Sequence, residues 1–157
     1  MSIKQRLETD MIQAMKERDR PRVSCIRMLK SKLLEREVAL RTKHGTDYEI
    51  TDEEAQSVIA TYAKQRRDSI DSYRTGGRDD LVADEQAELE IVSTYLPQQL
   101  SEAELRQLVQ AAITESGAES IKDLGRVMKV LMPRTQGSAD GKQVNRIVRE
   151  LLGAADS

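Results

Sequence analysis

Seven cations hold most of the chemistry that this sequence displays. The stretch KDLGRVMKVL (Lys122–Leu131) and the stretch KQVNRIVREL (Lys142–Leu151) follow one pattern: basic, any, apolar, any, Arg, apolar, apolar, basic, any, Leu. At about 100° per residue, Lys122, Arg126 and Lys129 share one side of a helix, with Leu124, Val127, Met128 and Leu131 opposite. The second copy sets Lys142, Arg146 and Arg149 against Val144, Ile147, Val148 and Leu151. With Arg134 between them, seven basic residues face only Asp123 and Asp140 in this region. Cations so arranged can contact phosphate groups. They are also what a soluble amphipathic helix shows opposite its buried face. The spacing fits both readings and does not say whether the two stripes merge into one surface.

No catalytic set accompanies them. There is one Cys and one His, so no Cys–His pair at a recognisable spacing and no zinc site are expected. Cys25 falls in a periodic apolar segment and reads as a small buried hydrophobe. His44 lies in the turn-like stretch TKHGTD. Lys64 and Ser69 share a helix whose pattern is one of charge pairs, and Glu85, Glu88 and Glu90 read as an exposed acidic run. The connector MPRTQGSADG has Pro133 to halt a helix, Gly137 for a positive φ and Arg134 beside a new helix start. A helix N-terminus can bind phosphate, but Asp140 would already occupy those amides, and the spacing is not that of a Walker loop. No metal and no cofactor are expected.

The chain that must position these residues has 157 of them, 33% charged and 38% hydrophobic, without Trp or Phe. An aliphatic core of packed helices suits that composition. The single Cys excludes an internal disulfide, and no apolar run approaches the ~18 residues of a membrane span. A soluble, cytoplasmic protein is the expectation. The net charge of −2 disfavours a general nucleic-acid coat. Charge is nonetheless segregated: Met1–Lys43 holds twelve basic and six acidic residues, whereas Arg78–Leu100 holds six acids and one Arg. Near-absence of aromatics disfavours stacking of single-stranded bases.

Helix starts are marked by capping boxes: Ser2 with Gln5, Thr51 with Glu54, Ser101 with Glu104 and Asp140 with Gln143. Ser120 with Asp123 is a weaker version, since Asp should be too short for the return bond. The periodicity predicts helices from Ile3 to about Arg18, from Pro21 past Leu33, from Thr51 to Gly76, and from Asp79 to Tyr95. Ile3, Leu7, Met11, Ala14 and Met15 face inward in the first. Pro97 ends the fourth, and three shorter helices follow at about 102–116, 121–132 and 141–152. The architecture expected is all-α, an N-terminal four-helix domain over 1–96 and a three-helix tail domain over 97–157.

Long phrases carry a resemblance. RVSCIRMLKSKLLEREV, KQRRDSIDSYRTGGRDDLVADEQAELEIVSTYLPQQLSEAEL and GRVMKVLMPRTQGSADGKQVNRIVRELL closely resemble the YqeY-like proteins, over essentially the whole chain. The tail is also similar to the tail domain of GatB, the B subunit of the tRNA-dependent Asp/Glu amidotransferase. Gly125, Val127, Met128 and Lys129, then Gly137 and Ala139, then Val144 and Leu151 match its pattern, with VLMPR inserted before the loop. The resemblance implies a helical body with a three-helix tail that helps to hold tRNA, as a similar module does in some glutaminyl-tRNA synthetases. It also implies a family label of carbon–nitrogen ligase with glutamine as amide donor, which the residues here do not support. The expected role is a non-catalytic tRNA-binding accessory module with Lys122, Arg126, Lys129, Arg134, Lys142, Arg146 and Arg149 as phosphate contacts. The alternative partner is a protein: a tRNA synthetase, an amidotransferase or a ribosome-associated factor.

Overall fold

The computed structural model describes residues 1–155. They form helices Ile3–Lys16 (α1), Arg20–His44 (α2), Asp52–Thr75 (α3), Asp79–Ser93 (α4), Glu102–Ser116 (α5), Leu124–Thr135 (α6) and Gly141–Ala155 (α7), with a 3₁₀ turn at Ile121–Asp123. The all-α expectation holds, and no strand occurs among the described residues. The chain divides into two compact units, Met1–Leu96 and a second that begins at Pro97.

The capping boxes at Ser2, Thr51 and Ser101 are complete, with both bonds made. The box at Ser120 corrects the expectation. The Asp123 carboxylate does reach back, accepting from the amides of Glu119 at 2.9 Å and Ser120 at 3.4 Å. A 3₁₀ turn winds more tightly than an α turn, so the third residue sits close enough for the shorter side chain. Helix α1 stops two residues early because Arg18 adopts φ 57°. That turn hands the chain to Asp19, whose carboxylate caps α2 at the Arg22 amide, 3.2 Å away.

In the first unit α1 packs on α2 and α3 on α4. Leu7, Ile26, Leu29, Ile59 and Val92 are fully buried where these layers meet, each contributing roughly 1.5–3 kcal/mol. Met15, expected inside, is 58% exposed. The buried row is Ile3, Leu7, Met11 and Ala14, and Met15 is turned about 100° from Ala14. Ile12, Leu34 and Val38 are also exposed. Glu85 and Glu88 are not an exposed run either. Their side chains are only 16% and 27% exposed and hold Arg66 of α3 at 3.3 and 3.8 Å, while Tyr62 donates its hydroxyl to Glu88. Glu90 alone of the three is exposed.

In the second unit Leu105, Val109, Ala112, Val127, Leu131, Val144, Ile147, Val148 and Leu152 form one aliphatic core. Pro133 does not halt α6, which continues to Thr135. The proline withholds a donor from the carbonyl of Lys129, and Lys129 is exposed, where water can serve that oxygen. The buried Thr135 donates its hydroxyl to the carbonyl of Leu131 at 3.2 Å, and the amide of Gln136 closes on Met132 at 3.1 Å. The last turn is thereby kept.

Candidate nucleic-acid interface

The two basic stripes lie on α6 with its preceding turn and on α7. Burial of Val127 and Leu131 in the one, and of Val144, Ile147 and Val148 in the other, forces the opposite faces outward. Lys122, Arg126, Lys129, Arg134, Lys142, Arg146 and Arg149 are all exposed. Placement on the surface is common to the seven, but their surroundings differ.

Three of the arginines are engaged, in part by carboxylates that reach them from another helix. Arg146 donates to Glu102 of α5 at 2.9 Å and lies 3.6 Å from Glu150, one turn on along α7. Arg106 of α5 joins the same carboxylates, 3.1 Å from Glu150 and 3.7 Å from Glu102. The bond from Arg146, then the charge of Arg106, holds the Glu102 carboxyl below its usual range. Arg134 pairs with Glu115 at 2.6 Å, and that bond raises the guanidinium pKa further. Arg126 lies 3.3 Å from Asp123 and donates to the carbonyl of Ser116, the last residue of α5, at 3.1 Å. A cation on a terminal carbonyl suits the negative end of a helix. Glu150 was visible in the sequence at i,i+4 from Arg146. The approach of Glu102 and Glu115 from another helix was not.

Lys122, Lys129 and Arg149 form a smaller set. No carboxylate among the described residues pairs with the ammonium groups of Lys122 or Lys129. The Arg149 Nε bonds the neutral oxygen of Asn145 at 2.7 Å. Lys142 stands at the second position of α7, where its amide meets the Asp140 carboxylate at 3.3 Å. Lys142 and Arg149 are seven residues apart on α7, so that pair spans about 10 Å along the helix at nearly the same angle, whereas Lys122 stands in the 3₁₀ turn before α6 and Lys129 within α6.

The ion pairs also show how Arg134 and Arg146 stand to each other. Their anchors, Glu115 and Glu102, are separated by about 20 Å along α5 and about 140° around it. The two arginines are therefore drawn to different flanks of α5, whereas Arg126 and Arg134 both reach its C-terminal end. The connector between α6 and α7 is likewise accounted for within the unit. Gly137 has φ 77°, and a Cβ there would meet the Pro97 ring at 3.3 Å. Its carbonyl accepts from the Gln99 side chain at 2.7 Å, and that of Ser138 from the Leu100 amide at 2.8 Å. The close approach is to the chain itself, so the loop is not a phosphate cradle.

No group of three or more His, Cys, Asp or Glu among the described residues is placed to hold a metal ion. Cys25 is buried, and burial, then the charge of Glu88, pushes its thiol up to about 12. His44 ends α2 and stacks on Tyr48 with ring centroids 4.6 Å apart. No helix among the described residues is long and apolar enough to cross a membrane.

Fold and surface together define an all-helical protein of two units, the second bearing two outward cationic helices. A family model described as Yqey-like protein matches residues 4–152, and the chain belongs to that family. Among curated proteins it is similar to Altered inheritance of mitochondria protein 41, mitochondrial, of Pyrenophora tritici-repentis. The two are 30% identical over 152 residues, which is 95% of this chain and 80% of that protein. The protein of the same name from Saccharomyces cerevisiae is 30% identical over 122 residues, 74% of this chain and 63% of the yeast protein. That from Eremothecium gossypii is 31% identical over 90 residues, 57% and 46% of the respective chains. The relatives' names place those proteins in mitochondria, whereas the sequence reading placed this chain in the cytoplasm.

Proposed function

We propose that this YqeY-like protein is a non-catalytic accessory module that binds tRNA through the outward faces of α6 and α7. The observation that carries the reading is the pair of cationic rows, Lys122 with Lys129 and Lys142 with Arg149, opposite fully buried aliphatic faces. Lys122, Lys129 and Arg149 are the primary phosphate contacts, and Lys142 extends the second row. Arg126, Arg134 and Arg146 frame the unit through α5 and contribute to affinity by the field they add. The similarity of the tail to the tRNA-holding domain of the amidotransferase supports the same reading.

Fluorescence anisotropy of labelled tRNA tests it, at low and near-physiological salt. With four phosphate contacts, log K should fall with log salt at a slope of roughly three. The triple charge reversal Lys122→Glu, Lys129→Glu and Arg149→Glu should abolish binding while the circular dichroism stays unchanged. Flat traces at both salts, or full affinity in the triple variant, would remove the stripes as a binding site.

Docking on a protein partner, such as a tRNA synthetase or an amidotransferase, is the second reading. The exposed apolar side chains Ile12, Met15, Leu34 and Val38 of α1 and α2 favour it, because aliphatic groups are of little use to a phosphate backbone. Binding to a purified partner that survives nuclease and is lost in Leu34→Glu would support it. Amide transfer with glutamine as donor has no observation in its favour.

A further inference from the structure

In the first unit, α2 and α3 enclose a cleft of about 340 Å³ whose two walls are chemically matched. Lys32 and Arg36 line the α2 wall, one turn apart. Ser57, Thr61 and Gln65 line the α3 wall at successive i,i+4 positions, which form a row down one side of a helix. Val58 and the buried ring of Tyr62 lie at the base.

These donors are largely uncommitted. No hydrogen bond or ion pair among the described residues engages the Arg36 guanidinium, the Ser57 hydroxyl or the Gln65 amide. The Lys32 ammonium makes one loose contact, 3.7 Å to Glu35, with that carboxylate 66% exposed. Thr61 donates its hydroxyl to the carbonyl of Ser57 at 3.1 Å and keeps its lone pairs. The one carboxylate lining the cleft, Glu54, is engaged on one oxygen: its Oε2 accepts from Tyr48 at 2.6 Å, from the Thr51 amide at 3.0 Å and from the Thr51 hydroxyl at 3.1 Å.

We propose that this cleft is a binding site for a phosphate ester, with Lys32 and Arg36 on the phosphate oxygens and Ser57 and Gln65 supplying neutral donors. Two cations and two neutral donors match a phosphate dianion, whose oxygens only accept. The volume lies within the range of about 300–1,000 Å³ typical of small-molecule sites. That is more than bare phosphate fills, so the ligand carries an organic group, which Val58 and the Tyr62 ring receive. The fixed negative charge of Glu54 turns the phosphate toward Lys32 and Arg36. This site stands whether or not the tail binds tRNA. Its phosphate can belong to a soluble ester or to an RNA backbone.

The test is an NMR titration of the full chain with adenosine 5′-monophosphate, beside adenosine as the phosphate-free control. The monophosphate should shift the amide signals of Lys32, Arg36, Ser57 and Gln65 saturably, and adenosine should leave them in place. The double variant Lys32→Glu, Arg36→Glu, with unchanged circular dichroism, should weaken the monophosphate at least about tenfold, as loss of charge-assisted bonds requires. Equal shifts from adenosine, shifts centred elsewhere, or undiminished affinity in the double variant would overturn the proposal. Anisotropy of labelled tRNA with the same variant then assigns the source. Weakened tRNA binding identifies the phosphate as a backbone group, and unchanged binding identifies a soluble ester.

Discussion

Glu37 shows what a single residue can conceal. It sits in α2 between Arg36 and Val38, in a context that reads as surface, yet it is 3% exposed. Its carboxylate accepts from the Ile50 amide at 3.0 Å and from Lys4 at 2.9 Å on one oxygen, and from Arg41 at 3.0 Å on the other. The amide bond from Ile50, then the bond from Lys4, holds the pKa below the usual value. A carboxylate with a depressed folded pKa stabilises the fold above its unfolded pKa, and that contribution is lost as pH falls through the folded one. Between neutral pH and the acid side of the carboxylate range, the melting temperature should drop in the wild type and drop less in Glu37→Gln. At neutral pH, Glu37→Ala should cost about 1–3 kcal/mol by orphaning the Ile50 amide, measured by urea unfolding. Cys25 is the contrary case, a residue whose burial was legible from its apolar periodicity. With its thiol pushed up to about 12, it should resist iodoacetamide in the native state at neutral pH and react readily in denaturant. Rapid native alkylation would contradict the burial.

At the scale of elements, the starts were written in the sequence more clearly than the ends. A capping box is a local contract among four residues, and Ser2, Thr51 and Ser101 each fulfil it. Ends depend on what receives the last carbonyls. Helix α6 passes Pro133 because Thr135 and Gln136 supply donors to its final turn, and α5 ends on Gly117 at φ 68° with Arg126 on the carbonyl of Ser116. Two lysine-or-arginine positions on one stripe should therefore behave differently. Arg126→Ala should lower stability by about 0.3–1 kcal/mol through the lost helix-end contact. Lys129→Ala should stay within about 0.5 kcal/mol of wild type while weakening tRNA in the anisotropy assay. Equal melting temperatures for the two variants would show that Arg126 does not serve α5. Gly117→Ala, which forces a Cβ into the left-handed region, should cost about 1–2 kcal/mol.

At the scale of the molecule, the two units have separate aliphatic cores, one built around Leu7, Ile26 and Ile59, the other around Leu105, Val127 and Ile147. Truncation in one core should act chiefly on its own unit. Ile147→Ala should destabilise the second unit by about 2–5 kcal/mol, so amide exchange should quicken in α5–α7 and stay near wild type in α1–α4. Uniform acceleration across the chain would mean that the units unfold as one. The sequence alone determined the helical class, most helix starts, the aliphatic faces and the cationic rows opposite them, because each follows from neighbours within two turns. Tertiary structure decided which of those cations meet a carboxylate, because Glu102 and Glu115 reach Arg146 and Arg134 from another helix. It also decided that Lys32 and Arg36 would face Ser57, Thr61 and Gln65 across a cleft. A helix wheel fixes the angle at which a side chain leaves its own axis, and only packing brings a second axis alongside it.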